Sequence, residues 1–153
     1  MKLANPVELE SILKDLDWKL YIEITNALIP INQINLQGQL SELPLNVAYY
    51  QGLLVNAKKL MDEKAKELEQ YSSMTRQDEY EKMTLAGKRA TDKYLESFVQ
   101  SQLKYGILNK EATETQYKFN LLKALIQALE HKSQMLIQLS ANQRAELQLN
   151  TNN

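Results

Sequence analysis

Apolar residues recur at helical spacing in several separated stretches of this chain, and those stretches set its expected architecture. Leu9, Ile12, Leu13, Leu16 and Leu20 fall on one helical stripe. Ahead of them, Asn5-Pro6-Val7-Glu8 has the order of an N-cap, a proline at the first helical position and a glutamate that reaches back, which marks a helix start. That helix is expected to end before Pro30, whose ring cannot continue it. Residues 26 to 44 hold one charge, Glu42, and the turn-prone Pro30, Gly38 and Pro44. They read as a linker with a short extended piece over residues 31 to 36.

A second helix is expected over residues 42 to 71. Tyr50, Leu53, Leu54, Ala57, Leu60, Met61, Lys64, Leu68 and Tyr71 share a stripe. Lys58, Lys59, Asp62, Glu63 and Lys66 point elsewhere, with Lys59–Glu63 and Asp62–Lys66 at the i,i+4 spacing that supports a helix. Residues 72 to 87 are polar and read as irregular apart from one helical turn. Thr91 then has the place of an N-cap for a short helix carrying Tyr94, Leu95, Phe98 and Val99, which Gly106 is expected to end.

Asn109 is the expected cap of the last and longest helix, which runs to Leu149, about 60 Å if unbroken. Its apolar positions form two rotated stripes: Leu121, Leu125, Ala128, Met135 and Leu139, and Leu122, Ile126, Leu129 and Leu136. One hairpin partner does not cover a face this wide, so self-association is expected through Leu121, Leu122, Leu125, Leu129, Met135, Leu136 and Leu139. Trp18 and Tyr21 are expected to be buried, and only the Asn/Gln-rich tail from Gln148 reads as frayed.

Composition agrees with a long-helix protein. The chain has 153 residues, four glycines and three prolines, with no proline after Pro44. The absence of cysteine excludes disulfides and cysteine-based zinc sites. No apolar signal core and no membrane-length apolar run is present; the greasiest stretch, residues 20 to 36, is interrupted by Glu23, Asn26, Pro30 and Asn32. The expectation is therefore a cytoplasmic protein with no membrane partner.

Little in the chain suggests catalysis. His131 is the single histidine and lies between Glu130 and Lys132, so it has no second histidine with which to bind zinc and no triad to join. Phosphate-loop, dinucleotide and metalloprotease motifs are missing. Glu111 and Glu114, at i,i+3, are placed to favour the helix dipole. A binding protein without enzymatic activity or cofactor is expected.

The formal charge of −1 makes the whole molecule no electrostatic magnet for nucleic acid, so any such role needs a local patch or repetition in an oligomer. Lys82, Lys88, Arg89 and Lys93 set four cations against Asp92, with Tyr80 and Tyr94 nearby. Such a segment can follow phosphates while an aromatic ring stacks on a base, although charge alone favours a solvated loop. Lys58, Lys59, Lys64 and Lys66 are offset by Asp62, Glu63, Glu67 and Glu69.

Two stretches carry a family likeness. Gly87-Lys88-Arg89-Ala90-Thr91-Asp92-Lys93-Tyr94-Leu95-Glu96-Ser97 resembles the basic-Thr-Asp-x-Tyr-Leu segment that precedes the last helix in the phage recombination mediator (UvsY-like) family. Residues 117 to 146, with Leu-Leu-x-Ala-Leu, Ala-Leu-Glu and Ser-Gln-Met-Leu-Ile-Gln-Leu pieces, are similar to that family's long C-terminal helix. The order of elements over residues 45 to 147 also fits. The resemblance implies a small helical protein that forms a hexameric or heptameric ring, binds single-stranded DNA, displaces a single-strand-binding protein and loads a RecA-like recombinase. It also implies a DNA-contacting basic segment near the end of the first long helix. Lys64-Ala65-Lys66-Glu67-Leu68 is the nearest match; it keeps two lysines but has Glu67 before the leucine and no arginine fork.

The expected fold is all-α: residues 1 to 44 form a helix and linker arm, and residues 45 to 153 form a long antiparallel helical hairpin that oligomerises through the C-terminal helix. The expected DNA contacts are Lys64, Lys66, Lys88, Arg89 and Lys93. The alternative is a non-catalytic helical scaffold or assembly protein of a phage.

Overall fold

The computed structural model describes the backbone of residues 6 to 151 and the side chains of residues 11 to 149. Its elements are α1 (Pro6–Asp15), α2 (Trp18–Leu28), a single 3-10 turn (Gln33–Asn35), α3 (Leu36–Leu85), α4 (Asp92–Ser101) and α5 (Leu103–Thr151), with no strand among the described residues. Helix α1 is described from Pro6 onward; the cap assigned to Asn5 lies outside the described residues. The predicted single N-terminal helix is two. Asp17 adopts extended backbone, and its carboxylate accepts the Leu20 N–H at 2.8 Å, so the chain restarts as α2.

The expected linker is shorter and more ordered than its composition suggested. Asn32 accepts the Ile34 N–H at 2.9 Å and starts the 3-10 turn where an extended piece was expected. Gln39 then reaches back: its amide donates to the carbonyls of Asn32 (2.6 Å) and Asn35 (3.1 Å), and its oxygen accepts from the Asn32 N–H (3.2 Å). Asn35 accepts the Gly38 N–H, and a β-carbon at Gly38 would collide with that Asn35 side chain. Side-chain amides thus satisfy backbone groups that the turn leaves open. Helix α3 follows at once and carries Pro44 in its interior, against the expectation that Pro44 closes a linker.

Burial explains why. The chain divides into two compact units. One comprises the described residues of Met1–Asn56 and Lys118–Asn153, the other Ala57–Tyr117. In the first, Leu36 and Leu43 of α3 and Leu125, Leu129 and Leu136 of α5 form a buried cluster. Tyr21, Ile24 and Leu28 of α2, with Ile29, Ile31, Leu40, Val47, Tyr50 and Leu139, pack against it. The apolar spacing 36, 40, 43, 47, 50 runs straight through Pro44. Full burial of each leucine is worth about 1.5–3 kcal/mol, and several together outweigh the ~3 kcal/mol that an interior proline costs.

The two apolar stripes of α5 are covered by the chain itself. Leu121, Leu122, Leu125, Leu129 and Leu136 are all buried within the single chain, Leu129 and Leu136 with no exposure at all, and Leu139 is half-buried against the same cluster. Of the seven residues expected to make a homo-oligomer interface, only Met135 presents a largely open side chain. The stripe is too wide for α3 alone, as the sequence implied, but the N-terminal segment supplies the second cover. Trp18 is 57% exposed, contrary to expectation; it stacks on Tyr21 (5.3 Å between centroids), which is half-buried.

Two lysines of α5 fix that cover. Lys118 donates to the carbonyl of Lys14 in the last turn of α1 (2.7 Å). Lys132 donates to the carbonyls of Leu28, the last residue of α2, and of Pro30 just beyond it (2.6 and 3.1 Å). Each ammonium thus meets carbonyls that a helix end leaves without partners, where the helix dipole also favours a cation. Lys132 is only 8% exposed. Desolvation holds its pKa below the usual lysine value, and the charge of Glu42 acts in the opposite sense.

In the second unit α3 continues to Leu85 where an irregular segment was expected. Ser72 and Thr84 turn their hydroxyls back to the Leu68 and Tyr80 carbonyls instead of competing with the helix, and Gln77 bonds Glu81 one turn on. The stop comes at Gly87, with φ +67°. The Lys88 N–H bonds the Met83 carbonyl and the Gly87 N–H bonds that of Thr84, the paired reach-back of a Schellman ending. Thr91 caps α4 as expected, accepting from the Tyr94 N–H at 3.3 Å. Gly106 does not end α4, nor does Asn109 cap α5: both lie inside α5, and the break is at Gln102, whose backbone is extended. Nothing in the chemistry of Gln102 marks it as a breaker.

Replacing Pro44 with Ala restores a helical N–H and should raise unfolding stability by about 1–3 kcal/mol in urea titrations; a loss would show that the proline shapes α3. Gly87→Ala should cost about 1–2 kcal/mol, because only glycine takes this left-handed conformation without strain. Gly106→Ala, in a helix interior with open space around the position, should gain roughly 0.5–1 kcal/mol in the same assay.

Candidate nucleic-acid interface

The corner between α3 and α4 gathers most of the expected DNA contacts. Lys88 and Arg89 are exposed immediately after the turn at Gly87, and Lys93 is exposed in the first turn of α4. Lys82, Lys88, Arg89 and Lys93 make no ion pair among the described residues. Their ammonium and guanidinium groups face water.

Two side-chain contacts join α3 to α4 at the corner, one exposed and one buried. Arg76 of α3 meets the carboxylate of Asp92 at 2.6 Å, and Asp92 also lies in the first turn of α4, where the helix dipole favours an anion. One turn along α3, the buried Glu79 carboxylate accepts the Tyr94 hydroxyl at 2.9 Å, and Tyr94 stacks on Phe98 (6.4 Å between centroids). Leu95 and Val99 are buried beneath. Tyr94, expected as a base-stacking aromatic, is therefore occupied within the fold. Tyr80 is not: it is 52% exposed and its hydroxyl has no partner among the described residues.

The structure separates the second pair of expected contacts from this corner. Lys64 donates to Glu111 of α5 at 2.7 Å and to Glu67 at 3.1 Å. These two hydrogen bonds, Glu111 first, raise its pKa above the usual lysine value. With the Lys104 ammonium lying 5.1 Å from the Tyr71 ring centroid, the contacts pair positions that run in opposite directions along α3 and α5. Lys64 is thus a clasp between helices. Lys66 is exposed and makes no ion pair among the described residues, but it is 22 residues before Lys88, most of them along α3 at about 1.5 Å each. The electrostatics are local: Ala57–Tyr117 holds eleven basic and eleven acidic residues, so the Lys88–Arg89 corner has no general basic field around it.

Two open recesses flank Arg76. One, of about 310 Å³, is lined by Ser73, Arg76, Gln77, Tyr80, Ala90, Asp92 and Leu95. The other, of about 400 Å³, is lined by Glu69, Ser72, Ser73, Arg76, Glu96, Val99, Gln100 and Tyr105. Ser73, Arg76 and Gln77 carry no signal while residues 72 to 87 read as irregular. Once that segment is helical, 73, 76, 77 and 80 fall on one face. His131 is exposed, and no group of three or more potential metal ligands is present among the described residues. No helix among them is long and apolar enough to cross a membrane.

The Glu79–Tyr94 bond makes the corner sensitive to alkali. That hydrogen bond, followed by desolvation, raises the Tyr94 pKa above 10.0. The neutral phenol is therefore favoured in the fold, and its contribution is complete below pH 10 and lost as pH rises through the raised value. Lys64, also raised, acts in the same direction, whereas the lowered Lys132 acts oppositely. Thermal melts should show stability falling as pH passes 10, with a shallower fall in Tyr94→Phe; an unchanged slope in that variant would mean Tyr94 is not coupled to folding.

No family model, curated protein or solved structure matches this chain.

Proposed function

We propose that this chain is a non-enzymatic single-stranded DNA-binding protein that acts as a recombination mediator in phage recombination and repair, in the cytoplasm of an infected bacterium. The observation that carries the reading is the exposed Lys88–Arg89 corner, without ion pairs among the described residues and set by the Gly87 turn and the Glu79–Tyr94 bond. Phosphates of a single strand are the chemistry that such cations recognise without regard to sequence. Lys93 extends the corner, while Lys64 serves the fold and Lys66 contributes at most a remote contact.

The further steps, displacing a single-strand-binding protein and loading a RecA-like recombinase, rest on the likeness of residues 87–97 and 117–146 to the mediator family. So does the homo-oligomeric ring. Repetition of the corner around such an assembly would turn a weak patch into an avid one, which a neutral unit requires. The opposed α3–α5 contacts support a long antiparallel hairpin as the repeating piece. With the leucine stripes already buried, a neighbour would use the open apolar side chains that α5 retains, Met135 and Ile137 among them.

A phage scaffold or assembly role is favoured by a different observation, the equal numbers of opposite charges in Ala57–Tyr117. Fluorescence anisotropy with labelled oligo-dT, alongside light scattering, separates the two. The DNA reading expects binding that weakens steeply with salt, and Lys88→Ala with Arg89→Ala should lower affinity and flatten the salt slope by about two counterions per corner. An oligomeric protein that fails to bind at low salt leaves the scaffold. If Lys64→Ala with Lys66→Ala reproduces the whole effect, the contact surface lies on α3.

A further inference from the structure

Resting on the DNA-binding reading, we propose that the recess between α3 and α4 is a nucleobase subsite. A base of the strand would enter it and stack on Tyr80 while Lys88 and Arg89 hold the flanking phosphates.

The recess has the three kinds of surface that a base requires. Tyr80 offers an aromatic face that is half open to solvent and tied to nothing. Buried Leu95 and half-buried Ala90 supply apolar surface for a flat ring. Along the α3 wall, the Ser73 hydroxyl has no partner among the described residues, and the Gln77 amide uses only its nitrogen, toward Glu81. These groups can donate to and accept from a base edge. The volume of about 310 Å³ lies at the lower end of the range for small-molecule sites, enough for a single ring system.

Its place along the chain couples it to the phosphate contacts. Ala90 lines the recess, and Arg89 and Lys88 are the residues just before it, so a nucleotide seated there has the two cations beside its backbone. Asp92, the one carboxylate in the lining, is neutralised by Arg76. The pair is exposed and therefore weakly held, so the Arg76 guanidinium can share its remaining donors with a ligand at little cost. The neighbouring recess of about 400 Å³ presents Glu69 and Glu96 and suits an anionic strand less well. Stacking on an aromatic side chain is tolerant of sequence, which accords with a protein that must coat any single strand.

The test uses the whole chain and oligo-dT on the order of 15 nucleotides, a length within the reach of single-strand sites. Tyr80→Ala should weaken binding about tenfold with the salt slope unchanged, and Tyr80→Phe should bind like the native chain. Trp18 is the single tryptophan. Trp18→Phe combined with Tyr80→Trp therefore places the only indole in the recess. Its emission should be quenched by oligo-dT and not by an abasic phosphate strand of equal length. Circular dichroism melts confirm that each variant is folded. If the native chain binds and Lys88→Ala with Arg89→Ala flattens the salt slope, yet Tyr80→Ala binds normally and the indole is unmoved, the subsite is refuted while DNA binding stands. If the native chain does not bind at low salt, the DNA reading itself fails, and the subsite with it.

Discussion

The breadth of the apolar face on α5 is the constraint from which the first unit follows. A helix with two rotated leucine stripes cannot be covered by one neighbour. Here α3 takes part of the face, and α2 with the residues after it takes more, around Leu125, Leu129 and Leu136. The arrangement needs the N-terminal helices to stop at defined points, and Lys118 and Lys132 mark those points by bonding the carbonyls at or near the ends of α1 and α2. Bringing Lys132 to 8% exposure carries a desolvation cost, which its two carbonyl bonds and the charge of Glu42 offset. With the stripes buried inside one chain, assembly does not follow from the apolar content of α5.

The second unit depends on a backbone event. Gly87 is the one residue among those described that has positive φ, and it turns the chain from α3 into the corner that presents Lys88 and Arg89. Arg76–Asp92 and Glu79–Tyr94 then set α4 against α3, leaving the recess beside Tyr80 open. Charge and shape meet at this corner because six successive residues, Gly87 to Asp92, supply the turn, the cations, a recess wall and the start of α4.

Much of this is legible in the sequence. Helical periodicity gave the all-α class, Thr91 its role as a cap, and the Lys82-to-Lys93 segment its place as the open basic patch. The helix over residues 72 to 85 was missed because Ser72, Ser73, Thr75 and Thr84 suggest a loop by composition, whereas Ser72 and Thr84 instead bond the carbonyl one turn back. Gly87 was the available signal: a lone glycine after a breaker-free run marks a left-handed helix end. The role of Lys64 was beyond reading, since Glu111, which holds it, is 47 positions away.

The sequence by itself determined where helices are favoured, which faces are apolar and which short segment carries unbalanced positive charge, because these depend on neighbours within a turn or two. Only tertiary structure decided that Pro44 lies inside a helix, that the leucines of α5 are covered from within, and that Lys64 is clasped while Lys88 and Arg89 are free. Each of those outcomes is set by contacts between residues far apart in sequence, whose burial or pairing energy exceeds the local preference it overrides.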